Sequence, residues 1–120
     1  MVDRSALAGQ EAERAAASFL ASRGLEILAR NYRSRWGEID IIAVDNGDIV
    51  FVEVKYRRSS NFGGALASIT NSKKRKIGLT ALDFLSRHPH CEHNIRFDII
   101  AIDQKLTWMK AALSFDEANI

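Results

Sequence analysis

Residues 37–56 read GEIDIIAVDNGDIVFVEVKY, and this stretch decides the fold. Two runs rich in Ile, Val and Phe flank Asn46 and Gly47. This dipeptide is the strongest short-range hairpin signal, because both central residues of a type I′ turn need positive φ. A two-residue loop at this point sets the register of both strands and brings Asp40 opposite Glu53. The predicted pairs are Asp45–Asp48, Ile42–Phe51, Asp40–Glu53 and Glu38–Lys55.

Four charged side chains fall on one face near the open end of this hairpin, because strand side chains alternate. They are Glu38, Asp40, Glu53 and Lys55. Opposed residues of an antiparallel pair have Cβ atoms about 5 Å apart, a separation at which like charges destabilise the sheet. A divalent cation between Asp40 and Glu53 relieves that repulsion, since hard cations prefer carboxylate oxygens. The alternative is a solvated rim, where Glu38 pairs with Lys55 and a bulge separates the two acids.

The remaining hairpin side chains are apolar on both faces. One face carries Ile39, Ile41, Val50, Val52 and Val54, and the other carries Ile42, Val44, Ile49 and Phe51. Strands of this kind belong inside a sheet that is covered on both sides. The hairpin is therefore predicted to lie at the centre of the fold.

The composition is that of an ordinary globular protein. The 120 residues, 47% of them apolar and 27% charged, predict one domain spanning 1–120. No apolar run approaches the roughly 20 residues of a membrane helix, so no membrane association is expected. The N-terminal residues lack a signal-peptide pattern. The one cysteine, Cys91, cannot form an internal disulfide, which favours a cytoplasmic location.

The other elements follow from periodicity. A helix is predicted over about 5–23, with Glu11 on the margin of its apolar stripe as a solvated acid. A strand follows over 25–32. A second helix begins near residues 70–72, and its predicted buried stripe is Ile77, Ala81, Leu82 and Leu85. Strands over 94–102 and 105–113 complete an α/β fold with a central mixed sheet of about five strands and helices packed on it.

Residues 33–37, RSRWG, form a basic connection with one aromatic side chain. Trp36 could stack on a nucleic-acid base or close the end of the core, and the pattern favours the core. Residues 88–93, HPHCEH, match no common zinc spacing and are typical of a loop. Arg96 and Asp98 share a strand face, either as a plain ion pair or as part of the acidic rim.

Cations are concentrated between Val54 and Asp83, a segment without any acid. They are Lys55, Arg57, Arg58, Lys73, Lys74, Arg75 and Lys76. Four of them open the second helix, where positive charge opposes the macrodipole. A bound polyanion turns that penalty into attraction, because free N–H groups and cations both favour phosphate. We therefore expect nucleic acid to contact Arg57, Arg58, Lys73, Lys74 and Lys76.

These features resemble the PD-(D/E)XK nuclease superfamily, in which an Asp and a later Glu-x-Lys end adjacent strands. Asp40 and Glu53-Val54-Lys55 supply that pattern, although the superfamily's Pro before the Asp is Ile39 here. More closely, four blocks in order resemble the YraN family, a bacterial group assigned to the endonucleases and similar in core to archaeal Holliday-junction resolvases. The blocks are GEIDIIA from Gly37, FVEVK from Phe51, FGG from Phe62 and RFD from Arg96. The resemblance spans residues 9–108 and implies a restriction-endonuclease-like core with helices on both faces of the sheet.

The resemblance also implies a set of roles. Asp40, Glu53 and the Val54 carbonyl would hold Mg²⁺, with Mn²⁺ as a substitute. Lys55 would orient or deprotonate the attacking water, and Glu11 would be a further carboxylate beside the metal. Lys73 and Lys76 would hold the DNA backbone around the scissile phosphate.

The implied function is a metal-dependent endonuclease that hydrolyses DNA, with branched or junction DNA as a candidate substrate. The alternative is a non-catalytic nucleic-acid-binding or adaptor module that docks a DNA-repair or recombination partner. Resolvase-like relatives act as dimers, so a homodimer is a further expectation, with Phe115 and the last strand as candidate contacts.

Overall fold

The computed structural model describes residues 4–56, 69–88 and 94–113, with side chains from residue 8 onward in the first helix. The elements in chain order are α1 (Arg4–Ser22), β1 (Glu26–Ser34), β2 (Gly37–Asp45), β3 (Asp48–Tyr56), α2 (Asn71–Arg87), β4 (Ile95–Ile102) and β5 (Leu106–Leu113). The helix and strand positions predicted from the sequence pattern agree with these bounds to within one or two residues.

The five strands form one mixed sheet in the order β1-β2-β3-β4-β5. β3 and β4 run parallel, whereas the other neighbouring strands run antiparallel. Parallel neighbours need a crossover connection, and α2 lies in the connection between β3 and β4. The predicted α/β class, with a five-stranded mixed sheet and helices packed on it, is confirmed and is consistent with a restriction-endonuclease-like core.

Apolar side chains cover both faces of the sheet. The α2-side cluster includes Ile42, Ile49, Phe51, Ile77, Ala81 and Phe84. The α1-side cluster includes Ala16, Leu20, Ile41, Ala43, Val50 and Val52. Each large side chain contributes about 1.5–3 kcal/mol when fully buried. β2 and β3 contribute to both clusters, so the hairpin is the centre of the core, as predicted.

The turn of the hairpin has the predicted conformation. Asn46 has φ 51° and Gly47 has φ 90°, the two positive values that a type I′ turn requires. The pairs Asp45–Asp48, Val44–Ile49, Ala43–Val50, Ile42–Phe51 and Ile41–Val52 follow from it. The register set by the Asn-Gly loop is therefore confirmed as far as Ile41, whereas the predicted pairs Asp40–Glu53 and Glu38–Lys55 are not part of the β2–β3 ladder.

Strict alternation fails at Ile39. The sequence pattern placed Ile39 on the same face as Ile41, but Ile39 packs in the α2-side cluster and Ile41 in the α1-side cluster. On β1, Asn31 lies between the partners of these two residues and has φ 53°, a left-handed conformation that interrupts a regular strand. This distortion of the paired strands changes the alternation at Asp40.

The helix α2 begins at the predicted cap. The Thr70 hydroxyl accepts a hydrogen bond from the Lys73 N–H at 3.1 Å, which satisfies one of the free donors of the first turn. The predicted buried stripe was wrong at Leu82, which is exposed, whereas Phe84 is buried. Phe84 lies three residues after Ala81 and shares its face, but Leu82 is turned away by about 100°.

Arg96 and Asp98 form a structural ion pair. The fully buried Asp98 carboxylate accepts hydrogen bonds from Arg96 Nε at 2.9 Å, from Trp108 Nε1 at 2.8 Å and from the Ala111 N–H at 2.9 Å. Arg96 also donates to Asp45 at 3.0 Å. Of the two predicted alternatives, the plain ion pair is correct, and it fastens β4 to β5 and to the end of β2.

Several predictions concern residues outside those described. They are the predicted nucleic-acid contacts Arg57 and Arg58, the Phe62-Gly63-Gly64 block, the loop tract 89–93 and the candidate dimer contact Phe115. Among the helices that the structure describes, none is long and apolar enough to cross a membrane.

Candidate functional site

The sheet opens between β2 and β3 at the end of the hairpin. The ladder between these strands stops at Ile41 and Val52. β2 nevertheless stays paired with β1 as far as Gly37, and β3 stays paired with β4 as far as Tyr56. The two halves of the sheet therefore separate at the point where the sequence analysis placed the opposed acids.

Asp40 fills the start of this opening. Its Oδ2 accepts the Val54 N–H at 2.8 Å, in the region where the backbone ladder has ended. The Asp40 carboxylate thus lies between the strands, next to the residue whose carbonyl was predicted as a metal ligand. Hydrogen bonding of this kind fixes the orientation of the carboxylate relative to β3.

Glu53 is the buried acid of the site, with 7% of the residue exposed. Its Oε1 lies 2.9 Å from Lys73 Nζ and 3.6 Å from Lys55 Nζ. A buried carboxylate is tolerated only when it is paired and hydrogen-bonded. The structure therefore brings together Glu53, Lys55 and Lys73, three of the predicted site residues, through contacts between β3 and the first turn of α2.

A second acidic group adjoins Asp40. Carboxylate oxygens of Glu13, Glu38 and Asp40 all lie within 4.8 Å of one another. Glu38 also accepts a hydrogen bond from Arg33 Nε at 2.9 Å, rather than pairing with Lys55 as in the solvated-rim alternative. Asp40 therefore lies close to Glu13 and Glu38 and also interacts electrostatically with Glu53.

The carboxylate that α1 contributes to this group is Glu13, whereas the resemblance pointed to Glu11. Glu11 is exposed and lies 3.5 Å from Arg14 in a surface ion pair, as periodicity alone had predicted. Glu13 lies three residues before the fully buried Ala16, and residues at that spacing share a helix face. Helical spacing from the buried stripe was the signal that could have identified Glu13.

The electrostatics of the opening disfavour negative charge on Asp40. Burial, followed by repulsion from Glu53, raises the pKa of Asp40 to about 7, although the Val54 hydrogen bond opposes the shift. The charges of Glu13 and Glu38 raise it further. The predicted local repulsion between the acids is therefore present, and a positive ion at this carboxylate would relieve it.

The pKa values of the two lysines near Glu53 are shifted in opposite directions. Burial, together with the nearby Lys73 ammonium, lowers the pKa of Lys55 despite the attraction of Glu53. Burial also acts to lower the pKa of Lys73, but the hydrogen bond and charge of Glu53 outweigh it and leave the pKa raised. Lys55 is therefore the more readily deprotonated of the two amines, as a general base requires.

A cavity of about 360 Å³ lies beside these groups. It is lined by Gly37, Glu38, Asp40, Glu53, Thr70, Ser72, Lys73, Lys76 and Ile77. Gly37 has φ 155°, a conformation that other residues rarely adopt, and a Cβ at this position would lie in van der Waals contact with the Lys76 Cβ at 3.4 Å. The acids of the sheet and the cations of α2 thus face a common space.

The predicted phosphate contacts on α2 lie at different distances from this space. Lys73 and Lys76 border the cavity, whereas Lys74 is not part of its lining. No acidic residue occurs in the first turn of α2. The positive charge of this turn is therefore compensated locally by Glu53 through Lys73, and Lys76 remains an exposed cation at the cavity rim.

The donor set fits Mg²⁺ or Mn²⁺. Both ions take carboxylate oxygens, and Mg²⁺ keeps several waters while using one or two protein carboxylates. Asp40 and Glu53 would hold the ion, with Glu13 and Glu38 close to Asp40. The geometry favours this assignment, because the Asp40 carboxylate is fixed by the Val54 N–H at 2.8 Å and has oxygens of Glu13 and Glu38 within 4.8 Å.

Comparison with known proteins identifies the family. The profile described as "Uncharacterised protein family UPF0102" matches residues 12–102. The chain belongs to this family. A UPF0102 protein of Dechloromonas aromatica (strain RCB) is 47% identical over 116 residues, which cover 96% of this chain and 95% of the relative. A UPF0102 protein of Psychromonas ingrahamii is 46% identical over 110 residues, 87% of each chain. Another from Pseudomonas putida (strain GB-1) is 43% identical over 112 residues, 88% of this chain and 91% of the relative.

The family name UPF0102 assigns no activity. The function has to be inferred from the geometry and charge of the opening between β2 and β3, because a fold by itself does not determine an activity.

Proposed function

We propose that this protein is a divalent-metal-dependent endonuclease that hydrolyses DNA phosphodiester bonds. The observation that carries the proposal is the meeting of Asp40, Glu53 and Lys55 at the opening of the sheet. Two carboxylates and an amine are what metal-assisted phosphodiester hydrolysis needs, and the resemblance to the YraN family and the PD-(D/E)XK superfamily points to the same chemistry. The proposal goes beyond the UPF0102 membership.

The metal would be held by Asp40 and Glu53, with the Val54 carbonyl as a further ligand. A bound Mg²⁺ supplies a Lewis acid for the phosphoryl oxygen and makes a water nucleophile available at neutral pH. The side chains of the protein position the substrate and accept the proton. Lys55, with its lowered pKa, accepts the proton of the attacking water.

Lys73 and Lys76 hold the phosphates on either side of the scissile bond. Phosphate contacts of this kind set the register of the DNA without reading its bases, so substrate choice depends on DNA shape. Lys73 is engaged with Glu53 at 2.9 Å, and a cation on Glu53 would release the Lys73 ammonium for a phosphate oxygen.

A non-catalytic DNA-binding adaptor is the second candidate. One observation favours it: Glu53 already has two ammonium partners, Lys55 and Lys73, so its charge is balanced without a metal. The two candidate functions differ in what binds the Asp40 carboxylate. Both lysines pair with Glu53 rather than with Asp40 among the described ion pairs, whereas a metal in the nuclease would bind the Asp40 carboxylate directly.

The test uses purified protein with labelled linear, flap and four-way-junction DNA in Mg²⁺, in Mn²⁺ and in EDTA. The nuclease is supported if the wild type cuts only with metal and if Asp40→Asn, Glu53→Gln and Lys55→Ala lose cutting. Asp48→Asn is the matched control, because Asp48 is a strand acid at the turn end of the same hairpin, and it should cut like the wild type. Retained DNA binding without cutting in either metal favours the adaptor.

A further inference from the structure

A second cavity, of about 560 Å³, lies beside the β1–β2 turn. Its lining includes Tyr32, Arg33, Arg35, Trp36, Asp83 and Arg87. Three guanidinium groups thus surround a space that contains one carboxylate and two aromatic rings. None of these residues has a role in the hydrolysis described above.

Trp36 is presented to solvent rather than to the core, which corrects the interpretation favoured by the sequence. The residue is 39% exposed, and the Arg35 guanidinium lies 4.4 Å from the centre of its ring. The Trp36 backbone is held in place, because its N–H donates to Ser34 Oγ at 3.0 Å. Ser34 Oγ in turn lies 2.9 Å from the buried Thr80 hydroxyl of α2. An exposed indole on an anchored turn is a rigid stacking platform.

Hydrogen bonds between β1 and α2 fix another part of the cavity lining. The Tyr32 hydroxyl donates to Asp83 Oδ2 at 2.6 Å, and Arg87 Nε donates to the same oxygen at 3.3 Å. The Tyr32 hydrogen bond, together with the charges of Arg87 and Arg35, keeps the pKa of Asp83 below its usual value. Asp83 therefore stays ionised and positions Arg87. Arg33 is paired with Glu38 at 2.9 Å, so the net positive charge that the wall offers to an anion is that of Arg35.

The second cavity adjoins the candidate active site through the turn itself. Ser34 borders the second cavity and pairs with Gly37, which borders the first. The helix α2 passes both spaces, with Lys76 at the first and Arg87 at the second. Eleven residues of helix separate these two cations, a distance of roughly 16 Å along the axis. One nucleic-acid strand can therefore follow α2 from one cavity to the other.

We propose that this second cavity binds an unpaired nucleotide of the DNA, with the base stacked on Trp36 and the flanking phosphates on Arg35 and Arg87. Base–aromatic stacking beside a basic groove is how proteins hold single strands without sequence preference, because every base has a π-face. Paired bases in duplex DNA do not present that face. This inference rests on the proposed function in taking DNA as the ligand, and it gives the site a preference for DNA with a single-stranded segment.

The experiment measures binding rather than cutting. Affinities of the wild type, Trp36→Ala and Trp36→Phe are measured in EDTA for a labelled flap DNA and for a blunt duplex. Trp36→Ala should weaken flap binding at least about fivefold, the loss typical of one stacked base, and should change duplex binding by less than about twofold. Trp36→Phe retains a ring and should recover most of the flap affinity. Leu28→Ala is the matched control, since Leu28 is also 39% exposed on β1 but lies outside the cavity.

The proposed phosphate contacts are tested by the salt dependence of binding. Arg35→Ala and Arg87→Ala should each reduce the slope of log affinity against log salt by about 0.7 on single-stranded DNA. Arg23→Ala is the control, because Arg23 also lies over an aromatic ring, that of Phe19, but at the end of α1. Melting temperatures of all variants show whether the fold is kept.

The outcomes separate this inference from the proposed function. Trp36-dependent flap binding in a protein that never cuts DNA supports the nucleotide cavity and contradicts the nuclease. Metal-dependent cutting together with unchanged flap binding by Trp36→Ala supports the nuclease and overturns the nucleotide cavity. An equal loss of flap and duplex affinity also overturns it, because stacking on an unpaired base was the reason for the difference.

Discussion

Lys73 Nζ lies 2.9 Å from Glu53 Oε1 and joins the first turn of α2 to the centre of the sheet. This ion pair stabilises two groups of opposite charge, each of which needs a partner. Glu53 is buried and needs a positive partner, and the cations of the first turn oppose the helix macrodipole and need a negative one. In the proposed nuclease, Lys73 occupies a Glu53 oxygen that the metal requires, so ammonium and metal compete for the same carboxylate.

This competition predicts the behaviour of Lys73→Met. Without metal, the variant should be destabilised because the buried Glu53 carboxylate loses its closest positive partner. The loss should be only about 1 kcal/mol, because solvent partly screens the half-exposed Lys73 ammonium in the wild type. With saturating Mg²⁺ the stability difference between Lys73→Met and the wild type should become smaller. The rise in melting temperature on adding Mg²⁺ should be larger for Lys73→Met than for the wild type, since no ammonium has to be displaced.

Lys74→Met is the control for that experiment. It removes the same charge from the adjacent helix position but has no ion pair with Glu53 among the contacts of the described residues. Its response to Mg²⁺ should match that of the wild type. An equal Mg²⁺ response from Lys73→Met, Lys74→Met and the wild type would show that Glu53 does not hold the metal.

The pH dependence of stability tests the environment of Asp40. Its pKa in the folded protein is about 7, well above the value of about 4 in an unfolded chain. Between these values the folded state binds more protons than the unfolded state, so this group lowers the free energy of unfolding as pH rises from about 4 to 7. The full effect is of the order of 4 kcal/mol at about 1.4 kcal/mol per pKa unit.

Asp40→Asn removes this titration and keeps an oxygen for the Val54 N–H. At pH 8 the variant should be more stable than the wild type in chemical denaturation, and the difference should vanish near pH 4. Mg²⁺ should stabilise the wild type at pH 8 but leave Asp40→Asn unchanged. Parallel stability curves for the two proteins across this pH range would contradict the raised pKa.

The hairpin was predictable because its signals are local. Asn46 and Gly47 favour one kind of tight turn, and the pairs as far as Ile41–Val52 follow by counting from that turn. The alternation of apolar residues fixes the buried faces for the same reason. Asp40 and Glu53 could therefore be placed at one end of the hairpin from the sequence alone.

The remaining features depend on contacts that no local pattern records. The distortion at Asn31 on β1 changes the face of Ile39 on β2, and a count along β2 cannot register an event on its partner. Trp36 reads as a core residue by hydrophobicity, but the anchoring of its turn on Thr80 leaves it exposed.

Lys55→Arg separates the two roles that Lys55 could have. Arginine keeps the positive charge but stays protonated at any working pH, so a general base is lost while charge neutralisation remains. Cleavage by this variant should fall about 10²–10⁴-fold, with DNA affinity in EDTA unchanged. In the wild type, the rate should rise with pH through a pKa below that of a free lysine, because burial lowers the pKa of Lys55.

Lys55→Met is the companion variant, since it removes both the charge and the base. It should be inactive and should also bind DNA less tightly. Cleavage by Lys55→Arg within about threefold of the wild type would mean that Lys55 acts only through its charge, and the proton of the attacking water would then have to pass to another group.

Glu13 and Glu11 give a matched pair on one helix, two residues apart. Glu13→Gln should weaken Mg²⁺ binding about tenfold, the lower end of the range for groups that support metal ligands. It should also lower the pKa of Asp40, because the negative charge of Glu13 adds to the burial and the Glu53 repulsion that raise it. The fall in stability with pH should therefore be smaller in this variant. Glu11→Gln removes only an exposed ion pair with Arg14 and should leave both measurements unchanged. If Glu11→Gln weakens Mg²⁺ binding and Glu13→Gln does not, the carboxylate supplied by α1 is the one implied by the family resemblance rather than the one that lies beside Asp40.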